Sequence, residues 1–320
     1  MGGTQYPVVV PLLSSLEDHI PLFRRLWLQW DGLESQAEVD SVDCFRSAVS
    51  LVDIGVHSRY RFVPTLLPMH NQITQYFFDA PWETHSELLK LVPNLIEACI
   101  VISFDDGPWS VSHATNTVDL LCLRRLLVSD VETLDYLRTP ALEEMSLYVR
   151  EEDNPHLLLH LEPFLERSSC VLRSLYLKWN PSVRSIAEIL RTFPSITRLA
   201  IAFEGEEDTV ADTFFAHFTH TGRAVAVRGL REIHVGFSRA CRIDYPRYLK
   251  MLRSWWKSKD CALQAAALLM TTDSDSGPDL ATLGGLDTLR KDGLDVLLLS
   301  GSKAQKIMNR WVYTSSSSRF

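Results

Sequence analysis

No apolar run in the 320-residue chain approaches the roughly 18 residues needed to cross a bilayer. Pro7-Val8-Val9-Val10-Pro11-Leu12-Leu13 is short, broken by proline and without a basic leader, so the chain reads as soluble and unsecreted. Basic residues are outnumbered, 32 Lys and Arg against 40 Asp and Glu. The net charge of −8 disfavours a surface built to neutralise nucleic-acid phosphates or anionic lipid headgroups, and a protein partner fits it better. Cysteine is sparse and scattered: Cys44, Cys99, Cys122, Cys170, Cys241 and Cys261 lie 20 to 71 residues apart with no CxxC pair. That is neither a disulfide framework nor a zinc spacing; it fits buried, reduced thiols in the cytosol or nucleus.

Motifs that carry chemistry are equally scarce. There is no GxSxG elbow, and Gly284-Gly285 and the scattered glycines build neither GxGxxG nor a P-loop, so nothing points to a nucleophilic triad, a nucleotide or another cofactor. His156 and His160 share a helix face at i, i+4, but Leu157 stands where HExxH needs its glutamate; they read as surface histidines rather than zinc ligands, as do His217 and His220. Glu204-Gly205-Glu206-Glu207-Asp208 lacks the ligand spacing of a calcium loop and reads as a solvated turn before a helix. In Arg253-Ser254-Trp255-Trp256-Lys257-Ser258-Lys259 the cations suit a helix C-terminus, with Leu249, Leu252 and Trp256 spaced to pack inward. No catalytic, cofactor-binding or metal-binding residue is assigned.

What the chain does carry is a repeat. Apolar-x-x-apolar-x-apolar recurs at Phe23/Leu26/Leu28, Leu51/Ile54/Val56, Ile73/Tyr76/Phe78, Leu95/Ala98/Ile100, Leu123/Leu126/Val128, Leu142/Met145/Leu147, Leu172/Leu175/Leu177, Ile196/Leu199/Ile201 and Leu230/Ile233/Val235. Poorer copies follow at Leu263/Ala266/Leu268 and Leu294/Leu297/Leu299. The first nine start 28, 22, 22, 28, 19, 30, 24 and 34 residues apart, around the period of leucine-rich repeats. Alternate side chains of a strand share a face, so the last two apolar positions enter one core while the residues between them point away. Helical spacing fills the intervals at Glu83 to Val92, Val131 to Arg138, Pro155 to Arg167, Ser182 to Arg191 (with Ser182 as N-cap), Asp208 to His220 and Tyr245 to Lys257. A doubly wound sheet would bury both strand faces; polar residues interrupt these strands, which predicts an α/β leucine-rich-repeat-like solenoid, a curved parallel sheet backed by helices. The array spans 12–270 after a flank at 1–11. Residues 271–285 read as a flexible loop, 286–313 as a last irregular repeat or cap, and 314–320 as a frayed tail.

Phe164 to Leu177, Ile186 to Leu190, Phe193 to Thr197, Leu121 to Leu147, Pro81-Trp82-Glu83, Leu88 to Leu95 and Arg253 to Ser258 together resemble the F-box and leucine-rich-repeat-like proteins of mushroom-forming fungi. The resemblance implies a substrate receptor: an N-terminal F-box docks on the Skp-type adaptor of a ubiquitin ligase, and the repeats present a target. Met1 to Ile20 carry no proline-led, apolar F-box helices, so the chain reads as the repeat portion without its F-box, with Val8 to Leu13 left uncovered. The alternative is an adaptor-independent repeat scaffold; an enzyme is the weakest of the three readings. Recognition is expected on the strand positions that point away from the core: Arg25, Trp27, Gln29, Asp53, His57, Gln75, Phe77, Asp79, Glu97, Arg125, Glu144, Tyr148, Tyr176, Lys178, Arg198, Glu232 and His234. Large aromatics and arginines among them are what interface hot spots use, although β propensity also places aromatics on a strand's solvent face.

Overall fold

A computed structural model describes residues 19–30, 48–58, 70–102, 117–204, 209–219, 229–239, 242–258, 262–272 and 277–311. The chain divides into two compact units, residues 1–142 with 166–170, and residues 143–165 with 171–320.

The first unit contains β1 (Arg25–Trp30), β2 (Asp53–Ser58), β3 (Gln75–Asp79), α1 (Trp82–Lys90), β4 (Glu97–Val101), β5 (Val118–Asp119), β6 (Arg125–Val128) and β7 (Leu137–Arg138). Strands β1, β2, β3, β4 and β6 lie side by side in that order, each parallel to the next, while β5 and β7 form a separate parallel pair. The repeat explains the order. Ile54, Tyr76, Ala98 and Leu126 meet in one rung, and all four are buried. The anchors Leu51, Ile73, Leu95 and Leu123 are fully buried at the strand entries. One residue past each anchor the backbone extends the ladder: the N–H groups of Val52, Thr74, Ile96 and Arg124 donate to the carbonyls of Arg24, Val52, Thr74 and Ile96, each at 2.9 Å.

The second unit repeats the scheme with β8 (Glu144–Val149), α2 (Leu157–Ser168), β9 (Ser174–Trp179), α3 (Val183–Thr192), β10 (Arg198–Phe203), α4 (Val210–Phe218), β11 (Glu232–Phe237), α5 (Tyr245–Trp256), β12 (Ala265–Met270), α6 (Leu280–Lys291), β13 (Asp295–Ser300) and α7 (Gly301–Trp311). Its six strands are parallel and in sequence order. Three of its helices start at a side-chain cap: Ser182 Oγ accepts from Ser185 N at 3.0 Å, Asp244 Oδ1 from Arg247 N at 2.9 Å, and Asp279 Oδ1 from Thr282 N at 2.7 Å. Aromatics fill the layer between sheet and helices. Phe203 stacks on Phe237 at 5.5 Å, Phe214 lies 4.6 Å from Phe218, and Phe215 lies 5.3 Å from Tyr248.

The expected helices at Glu83, Pro155, Ser182, Asp208 and Tyr245 are present within a few residues. Four expectations need correction. The segment from Val131 is a 3-10 turn, Val131–Tyr136, that gives way to β7, because Leu137 and Arg138 pair with Val118 and Asp119. The loop placed at 271–285 ends early, since Asp279 caps α6 and Leu286 and Leu289 bury against the sheet unit. Trp255, not Trp256, is the buried tryptophan of α5, and its indole N–H donates to the Phe218 carbonyl. The last repeat is one residue out of register. Its true core positions are Val296 and Leu298, which pair with Ala266 and Leu268, while Leu297 lies in the rung of Ala267 and His234 and is 39% exposed. Gly293 at φ +104 makes this possible, because it places the anchor Leu294 one residue nearer the strand than in the other copies.

Leu175 is fully buried in an inner rung, so Leu175→Ala is expected to cost about 2–5 kcal/mol of unfolding free energy through the cavity it leaves. Leu297→Ala is expected to cost less than about 1 kcal/mol, since that side chain already faces away from the core. Chemical denaturation of both variants distinguishes the two registers, and equal losses would restore the one expected from the repeat.

Candidate functional site

In the first unit the outward positions form rungs across the strands. Arg25, Asp53, Gln75, Glu97 and Arg125 make one rung, and Trp27, Gly55, Phe77, Cys99 and Leu127 the next. Oppositely charged neighbours pair along the first: Arg125 with Glu97, and Arg25 Nε with Asp53 Oδ2 at 3.8 Å. The second rung is apolar. Trp27 lays its indole where a Cβ on Gly55 would stand and reaches Phe77 at 5.3 Å between centroids. Phe77, Cys99 and Leu127 are buried, so Phe77 is not the solvent-facing recognition residue expected. Asp53 and Asp79 are buried as well. Arg25, Glu97 and Arg125 keep partial exposure, whereas the side chains of Gln29 and His57 lie outside the described residues.

In the second unit the first outward rung runs Glu144, Ser174, Arg198, Glu232, Ala265, Asp295. Arg198 straddles it, with Nη2 3.1 Å from Glu144 Oε1 and Nε donating to Ser174 Oγ at 2.7 Å. At the far ends of β8 and β9 an aromatic and cationic cluster gathers. Lys178 Nζ lies 5.0 Å over the Tyr148 ring and 3.3 Å from Glu204 Oε1. Trp179 lies 5.2 Å from Tyr148 and has the Arg150 guanidinium 5.8 Å above it. Trp179 ends its strand at φ +81, a conformation that a bulky residue rarely adopts. Aromatic faces beside two cations suit an apolar or aromatic side chain carried next to a carboxylate.

From β10 onward the outward face changes character. Ala200, Ala202, Ala267 and Leu269 are buried in one cluster with Ala304, Met308 and Trp311 of α7, and Tyr176, Leu299 and Ile307 pack against it. A Cβ on Gly236 would meet Met308, and His234 stacks on Trp311 at 5.5 Å. Burial pushes the His234 pKa down, with Glu232 and Asp295 opposing and Arg198 adding to the effect. Of the expected recognition residues, Tyr176 and His234 are therefore partly covered by the chain's own C-terminal helix.

Groups with strongly perturbed protonation lie in the first unit's core. His85 on α1 is wholly buried. Its Nε2 donates to the Val101 carbonyl at 3.0 Å, so Nδ1 must accept from the Tyr76 hydroxyl at 2.7 Å. Burial lowers its pKa from 6.5 to about 4. Burial also raises Cys99, with the Asp79 charge adding to the shift. These contacts tie α1 to β3 and β4 and explain themselves structurally. Cys44, Cys241, Cys261, His220, residues 205–208 and Val8 to Leu13 lie outside the described residues. Cys99, Cys122 and Cys170 are free thiols; Cys99 is buried but Cys122 is exposed. His156 and His217 are exposed and His160 is half-buried. Among the described residues, no group of three or more His, Cys, Asp or Glu side chains gathers as metal ligands would, and no helix is long and apolar enough to cross a membrane.

Sequence reasoning missed α7, although its signal was there. Ala304, Ile307, Met308 and Trp311 follow the i, i+3, i+4, i+7 spacing of an amphipathic helix. The strands beneath, Arg198–Phe203 and Ala265–Met270, are apolar on both faces after their first residue. Comparison of the chain with protein-family models, with curated proteins and with solved structures finds no match.

The neutral His85 sets a pH dependence. Below about pH 6.5 the unfolded imidazole takes up a proton that the folded one refuses until about pH 4, so stability falls as pH drops through that window and levels off below it. The loss from this group is on the order of 3 kcal/mol. His85→Gln can keep both hydrogen bonds without titrating. Its unfolding free energy, measured by denaturation from pH 7 to 4, is expected to fall less than the wild type's by that amount, and parallel curves would contradict the buried neutral imidazole.

Proposed function

We propose that the chain is a leucine-rich-repeat-like solenoid that recognises another protein through the outward face of its strands, and that it serves as the target-binding portion of an F-box-type ubiquitin-ligase receptor. The recognition reading is supported chiefly by the cluster of Tyr148, Trp179, Lys178 and Arg150, where large aromatics and cations stand together at the end of two adjacent strands. Interface hot spots draw on the same residue types. Five repeat copies in the first unit and five in the second, each set keeping its core positions in one register, support the solenoid. The link to ubiquitination rests on the sequence resemblance alone, as does a Skp-type adaptor as partner. Cysteine spacing and the acidic balance favour work in the cytosol or nucleus, on a protein rather than on nucleic acid or lipid.

Tyr148→Ala and Lys178→Glu remove cluster side chains without opening the core. Both variants are expected to melt close to the wild type and to lose at least about tenfold in affinity for the protein captured by the wild-type chain, since hot-spot truncation costs about 2 kcal/mol or more. Retained binding by both folded variants would move recognition off this face. Ligase coupling has its own readout: the captured protein should persist longer when the chain is depleted, and the difference should vanish under proteasome inhibition. An unchanged lifetime would leave the adaptor-independent scaffold.

A further inference from the structure

β13 is the last strand of the second unit's ladder, and among the described residues no strand lies on its outer side. The ladder fixes which of its backbone groups are left over. The Asp295 N–H donates to the Gln264 carbonyl at 2.9 Å. In a parallel pair a residue sends its N–H and its C=O to the same side, so Asp295, Leu297 and Leu299 bond to β12. Val296, Leu298 and Ser300 therefore point theirs to the open side. The Val296 carbonyl has this direction, since Arg290 Nε of α6 donates to it at 3.0 Å. Edge strands commonly discourage further pairing with lysine, proline or a bulge. Val296-Leu297-Leu298-Leu299 has none of these; Leu297 is 39% exposed, and Leu298 and Leu299 are half-buried.

We propose that β13 pairs antiparallel with β13 of a second copy of this chain, about a two-fold axis through Leu298, and so forms a homodimer. A two-fold pair requires that the strand match itself read backwards, and β13 does so in three respects. Its hydrogen bonds are in phase. The two Leu298 residues exchange N–H and C=O, and the Ser300 N–H of each copy meets the Val296 carbonyl of the other, which has a second lone pair beside the one Arg290 uses. Its apolar side chains also match, because opposite residues of an antiparallel pair share a face. Leu297 meets Leu299 of the second copy on the outward face, and Leu298 meets Leu298 on the face that the helices cover, so partly exposed leucines shield one another. Charge selects the direction. Antiparallel pairing sets the exposed Asp295 opposite Gly301 of the second copy, at the start of an α7 whose first turn holds Lys303 and no acidic residue. A parallel second copy would set Asp295 beside Asp295. The dimer goes beyond the recognition reading and does not depend on it, since β9 lies four strands from this edge.

Sedimentation equilibrium of the full chain tests the pairing. Between about 1 and 100 μM the particle mass is expected to rise from that of one chain to that of two and to stop there. Leu297→Lys, at a side chain that is already exposed, is expected to melt with the wild type and to stay a single chain throughout. Asp295→Lys is expected to weaken the dimer by about tenfold or more, and Asp295→Lys combined with Lys303→Glu to regain most of that loss. A wild-type chain that stays single at the top of the range overturns the proposal, whether another protein or the chain's own residues cover β13. Particles that grow past two chains overturn it too, as does a dimer that folded Leu297→Lys or Asp295→Lys leaves at full strength. If Leu297→Lys does not fold, Ser300→Pro, which removes an N–H that β12 does not use, takes its place with the same expected and overturning results. Because the readout is self-association alone, this test can fail while the Tyr148 and Lys178 variants still lose their partner, and the reverse.

Discussion

A buried anchor followed at once by a shared backbone hydrogen bond governs both units. Fully buried residues such as Leu51, Ile73, Leu95 and Leu123 hold the chain at each strand entry, and the next N–H is given to the carbonyl of the preceding repeat. In the second unit the same bond runs from Arg173, Thr197, Arg231 and Gln264 to Glu143, Arg173, Thr197 and Arg231 at 2.7–2.8 Å. With entry pinned, the pleat decides every later side chain, since a slip of one residue would turn all core positions to the other face. The variable intervals between repeats then matter little. They are absorbed in helices of different length, in 3-10 turns or in loops, while the ladder keeps its register.

The parts of this scheme that depend on local pattern were legible. The repeat named the inner residues of ten strands, and Ser182, followed by Val183, Ile186, Ile189 and Leu190, marked both the cap and the buried face of α3. What escaped depends on tertiary packing. Pro278 and Gly284-Gly285 read as loop, yet Gly285 lies inside α6 because its missing side chain leaves room for Leu249 and Arg253 of α5. The register of β13 hung on a left-handed Gly293, whose conformation the repeat pattern does not encode. Trp255 and Trp256 both lie near the apolar stripe of α5; the carbonyl of Phe218, 37 residues away, is what draws Trp255 in.

The outward face was the least legible part, and for one reason: strand alternation says which side chains leave the core but not what lies over them. Trp27, Phe77 and Tyr176 look alike on that basis. Trp27 folds over Gly55 toward Phe77, Phe77 is buried, and Tyr176 leans on the cluster beneath α7. Small residues carry the missing information. A solvated strand face has no use for a row of alanine and glycine, so Ala200, Ala202, Gly236 and Ala267 mark backbone that another element approaches closely.

That gradient divides the labour of the second unit. At β8 and β9 the outward side chains include Glu144, Tyr148, Tyr176 and Lys178, and the ion pairs of Arg198 with Glu144 and of Lys178 with Glu204 stay partly exposed. Such pairs are worth little to stability, at most about 1 kcal/mol each, so the fold does not need them; under the proposed recognition role they would orient donors and rings toward a partner. At β10 to β12 the same rungs carry Ala200, Ala202, Gly236 and Ala267 beside His234 and Leu269, and α7 covers them. One continuous ladder therefore carries two kinds of outward face. The boundary between them falls at Tyr176, the one outward aromatic that touches the cluster around α7 while sharing its strand with Lys178 and Trp179.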